Sequence, residues 1–158
     1  MDNVTPTDSV PSRPRIAVII AAAGKSKRFD SATPKVWTEL SGQTLVERAW
    51  RSFTHESFAE HQQTLLIEWI GIAVSRNHLE QVRRIVSSCP LPVQIVQGGD
   101  TRTQSVHRVL REVPDEIDII AVHDAARPFW PVHLWDELVT HAATSGGAIL
   151  AIPLHDTV

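Results

Sequence analysis

Small residues and cations that could hold a phosphate chain lie close together near the start of the sequence. They are Ala22, Ala23 and Gly24, followed by the cations Lys25, Lys27, Arg28 and Lys35. Small residues let a backbone approach a ligand, and glycine permits the tight turn that points N–H groups at an anion. Lysine and arginine supply positive charge to phosphate oxygens. The segment predicts a nucleotide triphosphate site. We expect Arg28 and Lys35 to be the cations that function in it, and Lys25 and Lys27 to be solvated surface charges.

Two further polar segments could belong to the same site. Residues 98–102 read GGDTR, and residues 123–128 read HDAARP. The carboxylate of Asp124 could hold a divalent metal beside a phosphate chain. The sequence contains neither the dinucleotide fingerprint G-x-G-x-x-G nor the Walker run G-x-x-x-x-G-K-[ST]. This combination favours phosphoryl-type transfer from a nucleotide, in which positioning and charge neutralisation do most of the catalysis.

The apolar pattern predicts strands that alternate with helices. Strands are predicted at residues 16–21, 69–74, 93–96, 117–122 and 149–152, and helices at residues 44–53, 79–88, 103–110 and 132–144. Such alternation is typical of an α/β protein with a mostly parallel, doubly wound sheet. The three polar segments follow the first, third and fourth strands. We therefore expect them to meet at one edge of the sheet, where ligands of such folds bind.

Composition narrows the class of protein further. The chain has 158 residues and a net charge of −3, which argues against a general nucleic-acid binder. Cys89 is the only cysteine, as suits a reducing cytoplasm, and no apolar run in the sequence approaches the roughly 20 residues of a membrane span. Residues 1–15 are rich in Pro, Ser, Thr and Asp and predict a disordered tail. A single domain is predicted over residues 16–158.

Four motifs resemble those of one enzyme family in their order and spacing. They read AAAGKSKRF…PK, GGDTRTQSV, VHDAARPF and AIPLHDTV. They are similar to the motifs of the 2-C-methyl-D-erythritol 4-phosphate cytidylyltransferases of non-mevalonate isoprenoid biosynthesis. The resemblance implies a nucleotidyltransferase variant of the Rossmann-type fold, like that of the nucleotide-diphospho-sugar transferases. It also implies CTP and methylerythritol phosphate as substrates, pyrophosphate as a product, Mg²⁺ as cofactor and a homodimer.

The same resemblance assigns roles to individual residues. Arg28 and Lys35 would stabilise the pentacoordinate α-phosphate. Residues that would bind the nucleotide are Ala22, Ala23, Gly24, Gly99, Asp100, Ser105, Asp124 and Ala125, with Ser105 reading the base. Asp124 would also lie near the Mg²⁺-bound phosphates. Arg127 and Thr157 would contact the methylerythritol phosphate.

Members of this family continue beyond the position that matches Val158, where they carry a dimer arm and further strands. We therefore expect a sheet without its last strands, with an exposed apolar edge. Two alternatives remain open from the sequence. One is a cytidylyltransferase that acts on ribitol 5-phosphate, although HDAARP favours the first interpretation. The other is a non-catalytic fragment that binds CTP.

Overall fold

The computed structural model describes residues 14–24, 34–54 and 66–153. The strands in these ranges are β1 Arg15–Ala22, β2 Glu39–Leu40, β3 Gln43–Thr44, β4 Leu66–Val74, β5 Val93–Gln97 and β6 Ile119–Asp124. The α-helices are α1 Leu45–Arg51, α2 Leu79–Ile85, α3 Arg102–Leu110 and α4 Trp135–Ser145. Short 3₁₀ turns lie at Lys35–Trp37, Arg76–His78 and Val132–Leu134.

A four-stranded parallel sheet organises the described part of the chain. Its strand order is β5-β4-β1-β6, so β1 lies between β4 and β6. Five successive residues of β1, from Ile16 to Ile20, are fully buried. A continuous apolar run of this kind is typical of a parallel strand covered on both faces. The prediction of an α/β fold with a mostly parallel sheet is confirmed.

Helices cover the two faces of this sheet. On one face Trp50 of α1, Val82 of α2 and Trp135 of α4 join a single buried apolar cluster. On the other face Val109 of α3 packs over Ala17, Ile19, Trp69 and Ala73. Gly71 permits this close approach, since a Cβ atom at that position would lie 2.2 Å from a methyl of Val109. The doubly wound arrangement follows from these two layers.

The ends of most predicted elements shift by up to three residues, and the structure departs further from the sequence prediction at one strand, one hairpin and the start of the last helix. The predicted fifth strand at residues 149–152 is wrong, because residues 147–153 form no helix or strand and Ile149 and Ile152 are 86% and 85% exposed. An apolar segment becomes a stable strand only when other strands pair with it, and no described strand pairs with this one. The antiparallel ribbon of β2 and β3 was not predicted. The last helix begins as a 3₁₀ turn at Val132–Leu134.

The described elements also bear on membrane association. No helix in these ranges is long and apolar enough to cross a membrane.

β1 begins at Arg15, one residue before the predicted start, and Arg15 forms an ion pair with Glu68 on β4. Residues 1–13 of the predicted tail lie outside the described residues.

Candidate nucleotide-binding site

The first loop of the site begins where the central strand ends. The sheet register places Ala21 opposite Asp124 on β6 and Ala22 opposite Val74 on β4. Ala23 and Gly24 follow directly, and space is open around Gly24, since a Cβ atom there would have no heavy atom within 4 Å. The backbone of this loop is therefore accessible to a ligand at the carboxyl edge of the sheet.

The second loop, after β5, packs directly against the first. The N–H of Gly98 donates to the carbonyl of Val74 at 2.8 Å, which continues the β4–β5 pairing into the loop. A Cβ atom on Gly98 would lie 2.2 Å from the Cβ of Ala23 and 2.9 Å from the hydroxyl of Ser105. Only glycine fits this approach without a shift of its neighbours. The prediction that the segments after β1 and β5 meet is confirmed.

Side chains at the start of α3 fix the backbone of the second loop. Thr101 and Gln104 form a reciprocal capping box at the start of the helix. The Gln104 side-chain oxygen also accepts the N–H of Asp100 at 2.8 Å. The Ser105 hydroxyl accepts the N–H of Gly99 at 3.0 Å and donates to the carbonyl of Thr101 at 2.9 Å. These bonds hold the loop in a defined shape before any ligand arrives.

Asp124, at the end of β6, joins the third loop to the second. Its Oδ1 atom lies 2.8 Å from Nε of Arg102, the first residue of α3, and its Oδ2 atom lies 3.5 Å from Nε of Arg127. The N–H of Ala125 donates to the carbonyl of Ala21 at 3.2 Å, so the third loop also contacts the end of β1. A carboxylate between two arginines lies at the junction of all three loops.

His123 is packed among aromatic rings on the other side of β6. Its ring lies 5.1 Å from the ring of Phe53 and 6.4 Å from that of Trp130. Its Nε2 atom is buried and has no hydrogen-bond partner among the described residues. Burial lowers the pKa of His123, against the opposing effect of the neighbouring Asp124 carboxylate. A neutral imidazole in an aromatic cluster fits a packing role better than an acid–base role.

Lys35 is presented by a short, well-anchored turn. The two residues after it, Val36 and Trp37, are buried in the main apolar cluster, and Trp37 stacks on His78 with ring centroids 4.5 Å apart. The N–H of Trp37 donates to the carbonyl of Pro34 at 2.9 Å. These contacts fix the backbone of Lys35, while its side chain remains on the exposed side of the turn.

The structure brings together most of the residues that the sequence singled out. The ends of β1 and β6, the loops after β1, β5 and β6, and the first turn of α3 contain Ala22, Ala23, Gly24, Gly99, Asp100, Ser105, Asp124, Ala125 and Arg127. Arg28 and Thr157 lie outside the described residues. Sequence reasoning placed Gly98 and Arg102 in the second polar segment without giving either a role of its own, and it did not single out Gln104. Of these, only Gln104 carried a readable signal, the T-x-x-Q spacing of a capping box.

A magnesium ion at the loop junction would need oxygen ligands from the protein. Mg²⁺ in nucleotide sites usually takes one or two carboxylates and completes its shell with phosphate oxygens and water. Asp124 offers one carboxylate at the loop junction, and the described ranges contain no group of three His, Cys, Asp or Glu residues that could hold a metal. These residues fit a magnesium ion shared with a bound phosphate chain.

A parallel sheet with three converging loops at its carboxyl edge defines the class of the protein. It is an α/β nucleotide-binding fold of the doubly wound type. The sequence profile of the 2-C-methyl-D-erythritol 4-phosphate cytidylyltransferases matches residues 16–158. The chain belongs to this family.

Relatives and solved structures agree with this placement. The chain is 34% identical over 143 residues to the 2-C-methyl-D-erythritol 4-phosphate cytidylyltransferase of Microcystis aeruginosa, covering 89% of this chain and 60% of the relative. It is 34% identical over 146 residues to that of Carboxydothermus hydrogenoformans, covering 91% and 59%. A crystal structure of a 4-diphosphocytidyl-2C-methyl-D-erythritol synthase superposes with a TM-score of 0.65 at 26% identity, covering 92% of this chain and 62% of that one. The chain thus spans about three fifths of the length of these proteins.

Proposed function

We propose that this chain transfers a cytidylyl group from CTP to 2-C-methyl-D-erythritol 4-phosphate and releases pyrophosphate. The observation that carries the proposal is the convergence of three loops in a member of this family. Gly98 lies against Ala23, and Arg102 is paired with Asp124, so the loops after β1, β5 and β6 form one continuous surface. A site of this shape suits a nucleotide with an extended phosphate chain.

The nucleotide half of the proposal rests on the second loop. The backbone N–H groups of Gly99 and Asp100 donate to the side-chain oxygens of Ser105 and Gln104, and these bonds hold the loop in place. A binding surface that is already ordered loses less entropy when its ligand arrives. In the proposal the cytosine lies against this loop, and the Ser105 oxygen retains an acceptor position with which to read the base. Ala22, Ala23 and Ala125 contribute backbone contacts to the ribose and phosphates.

The chemical step is an in-line displacement at the α-phosphorus of CTP. A phosphate oxygen of the acceptor forms the new P–O bond, while the bond to the bridging oxygen of the β-phosphate breaks and pyrophosphate leaves with the electron pair. Negative charge accumulates on the equatorial oxygens of the α-phosphate during this step. Arg28 and Lys35 stabilise that charge in the proposal, with the anchored 3₁₀ turn fixing the position of Lys35.

The proposal gives the remaining residues metal and acceptor roles. Asp124 would hold Mg²⁺, which supplies charge neutralisation on the phosphate chain. Arg127, whose side chain is 81% exposed, and Thr157 would contact the phosphate of the acceptor. A homodimer and a cytoplasmic location complete the proposal. Both rest on the family resemblance, and the single cysteine is compatible with the second.

The experiment measures pyrophosphate release by the purified chain with CTP and Mg²⁺ and one acceptor at a time. Release with methylerythritol phosphate, but not with ribitol 5-phosphate or without acceptor, is the expected result. Release only with ribitol 5-phosphate would reassign the acceptor. A folded chain that binds CTP and releases nothing with either acceptor would limit the function to nucleotide binding and refute the transferase proposal.

A further inference from the structure

Two adjacent glycines begin the second loop, and the space around them requires both. A Cβ atom on Gly98 would lie 2.2 Å from the Cβ of Ala23, and one on Gly99 would lie 2.5 Å from the Cβ of Gln104. Glycine has the widest choice of backbone dihedrals because it has no Cβ atom. The peptide group between Gly98 and Gly99 is flanked by glycine on both sides, so rotation of its plane meets little steric resistance. Other contacts must therefore fix its orientation.

Two side chains of α3 hold this peptide group, one at each of its polar ends. The N–H of Gly99 donates to the hydroxyl oxygen of Ser105 at 3.0 Å. On the opposite side of the same peptide group, the carbonyl of Gly98 accepts from Nη1 of Arg108 at 2.8 Å. The same Nη1 atom also donates to the carbonyl of Gln97 at 3.1 Å. Ser105 and Arg108 are three residues apart and lie on one face of the helix. Rotation of the peptide plane would break both contacts.

We propose that Arg108 is a positioning residue, which holds the Gly98–Gly99 peptide group in the orientation that the nucleotide requires. Because the proposed function places the cytosine against this loop, the role of Arg108 rests on that function. Without Arg108, only the bond to Ser105 opposes a flip of the peptide group. The flip would turn a carbonyl oxygen toward the Ser105 hydroxyl, where the N–H of Gly99 now lies, and would change the surface that the base meets.

This role predicts a specific division between binding and chemistry. When only a fraction of the free molecules has the binding-competent loop, the apparent affinity is lowered by that fraction. A hydrogen bond from a charged donor shifts a local equilibrium by about tenfold or more. Loss of the Arg108 donor should therefore raise the dissociation constant of CTP about tenfold. The value of kcat at saturating CTP should stay unchanged, because the bound nucleotide then holds the loop in its competent form.

The test compares Arg108→Met with the parent chain. Methionine retains an unbranched apolar side chain and removes every hydrogen-bond donor. Hydrogen exchange of the Gly99 N–H in the free chain, measured by NMR, should accelerate at least about tenfold, since a flip exposes this group to water. The N–H of Ser105, which donates to the carbonyl of Thr101 at 3.1 Å, is the internal control and should keep its exchange rate. Titration with CTP and Mg²⁺ and steady-state pyrophosphate release then give the dissociation constant and kcat.

Arg111→Met is the matched control variant. Arg111 is exposed and follows the last residue of α3, so the variant removes the same charge from the same helix. Its CTP affinity and Gly99 exchange should equal those of the parent chain. An equal loss of affinity in the two variants would overturn the proposal, because the effect would then be one of general charge.

In a chain that binds CTP, the proposal requires faster Gly99 exchange and weaker CTP binding together. Either change alone in Arg108→Met, or neither, would overturn it. A fall in kcat at saturating CTP would also overturn it, because Arg108 would then act on the reaction itself. If the parent chain does not bind CTP, the proposed function fails. The exchange of Gly99 in the two free chains still determines whether Arg108 holds the peptide group.

Discussion

Arg102 and Asp124 are 22 residues apart in the sequence, yet their side chains join the start of α3 to the end of β6. Nε of the guanidinium lies 2.8 Å from Oδ1 of the carboxylate. Since Arg127 approaches the other oxygen at 3.5 Å, the carboxylate is held from two sides. This pair connects the loop assigned to the base with the residue assigned to the metal. It makes Arg102 a positioning residue in the proposed mechanism.

Replacement of Arg102 by glutamine should weaken Mg²⁺-dependent CTP binding without unfolding the chain. The Arg102 side chain is 60% exposed, so loss of the ion pair should change the free energy of unfolding by less than about 1 kcal/mol. Loss of a partner that orients a metal ligand typically costs about 10- to 100-fold in metal affinity. Calorimetric titration of CTP at several Mg²⁺ concentrations measures the effect.

Arg83→Gln is the control for that measurement. Arg83 also forms an exposed ion pair, with Glu80, within α2. Its removal should leave CTP binding unchanged. Equal losses in the two variants would show that general surface charge, and not the position of Asp124, controls the affinity.

Gly98→Ala should destabilise the protein and disturb nucleotide binding together. The new Cβ atom would clash with Ala23 at 2.2 Å, and overpacking of this kind typically costs about 1–3 kcal/mol. Gly24→Ala adds the same methyl group in open space and should change the free energy of unfolding by less than about 0.5 kcal/mol. Urea denaturation followed by tryptophan fluorescence compares them. If both variants unfold at the same denaturant concentration as the parent, the contact between the two loops is not tight.

Lys35→Ala and Arg28→Ala should each reduce turnover by orders of magnitude. Charge stabilisation of a transition state by a fixed donor is typically worth about 3–4 kcal/mol. Since the effect belongs to the chemical step, kcat should fall far more than the affinity for CTP. The measurement is steady-state pyrophosphate release, with Arg83→Gln again as the control. Near-normal kcat in both alanine variants would contradict the roles proposed for the two cations.

His123 should make the protein less stable in mild acid. Burial lowers its pKa in the folded state below the value of about 6.5 expected when the chain is unfolded. Below that pH the unfolded chain binds more protons than the folded one, so stability falls as pH decreases, by up to about 1.4 kcal/mol per pH unit. His123→Gln should flatten this dependence between pH 6.5 and pH 5, as measured by denaturation at each pH. His133→Gln, at an exposed position, should retain it.

Much of the fold could be predicted because buried strands and helices leave apolar patterns in the sequence. The apolar run in β1 and the helical periodicity around Val82 and Val109 reflect burial that is visible in the sequence. The β2–β3 ribbon was missed because its strands have two residues each. The turn between them carried a readable signal, the Ser41–Gly42 pair. Both residues adopt a positive φ in the structure, as a tight hairpin turn requires.

The remaining differences depend on contacts that no local pattern reveals. Residues 149–152 have the composition of a strand, but a strand also needs a pairing partner. Gly98 resembles an ordinary loop glycine until the fold brings Ala23 against it. Arg102 could not be assigned a role without knowing that α3 begins beside the end of β6. In each case the sequence specifies the residue, and the tertiary structure determines what it contacts.

If the loops after β1, β5 and β6 form one nucleotide site, a single ligand should affect all three. A titration of the ¹⁵N-labelled chain with CTP and Mg²⁺, followed by NMR, tests this most directly. The amide signals of Ala23, Gly99 and Ala125 should shift together with a single apparent affinity, and an equal concentration of ATP should produce much smaller shifts. Shifts confined to one loop, or equal shifts with ATP and CTP, would contradict a shared cytidine-nucleotide site.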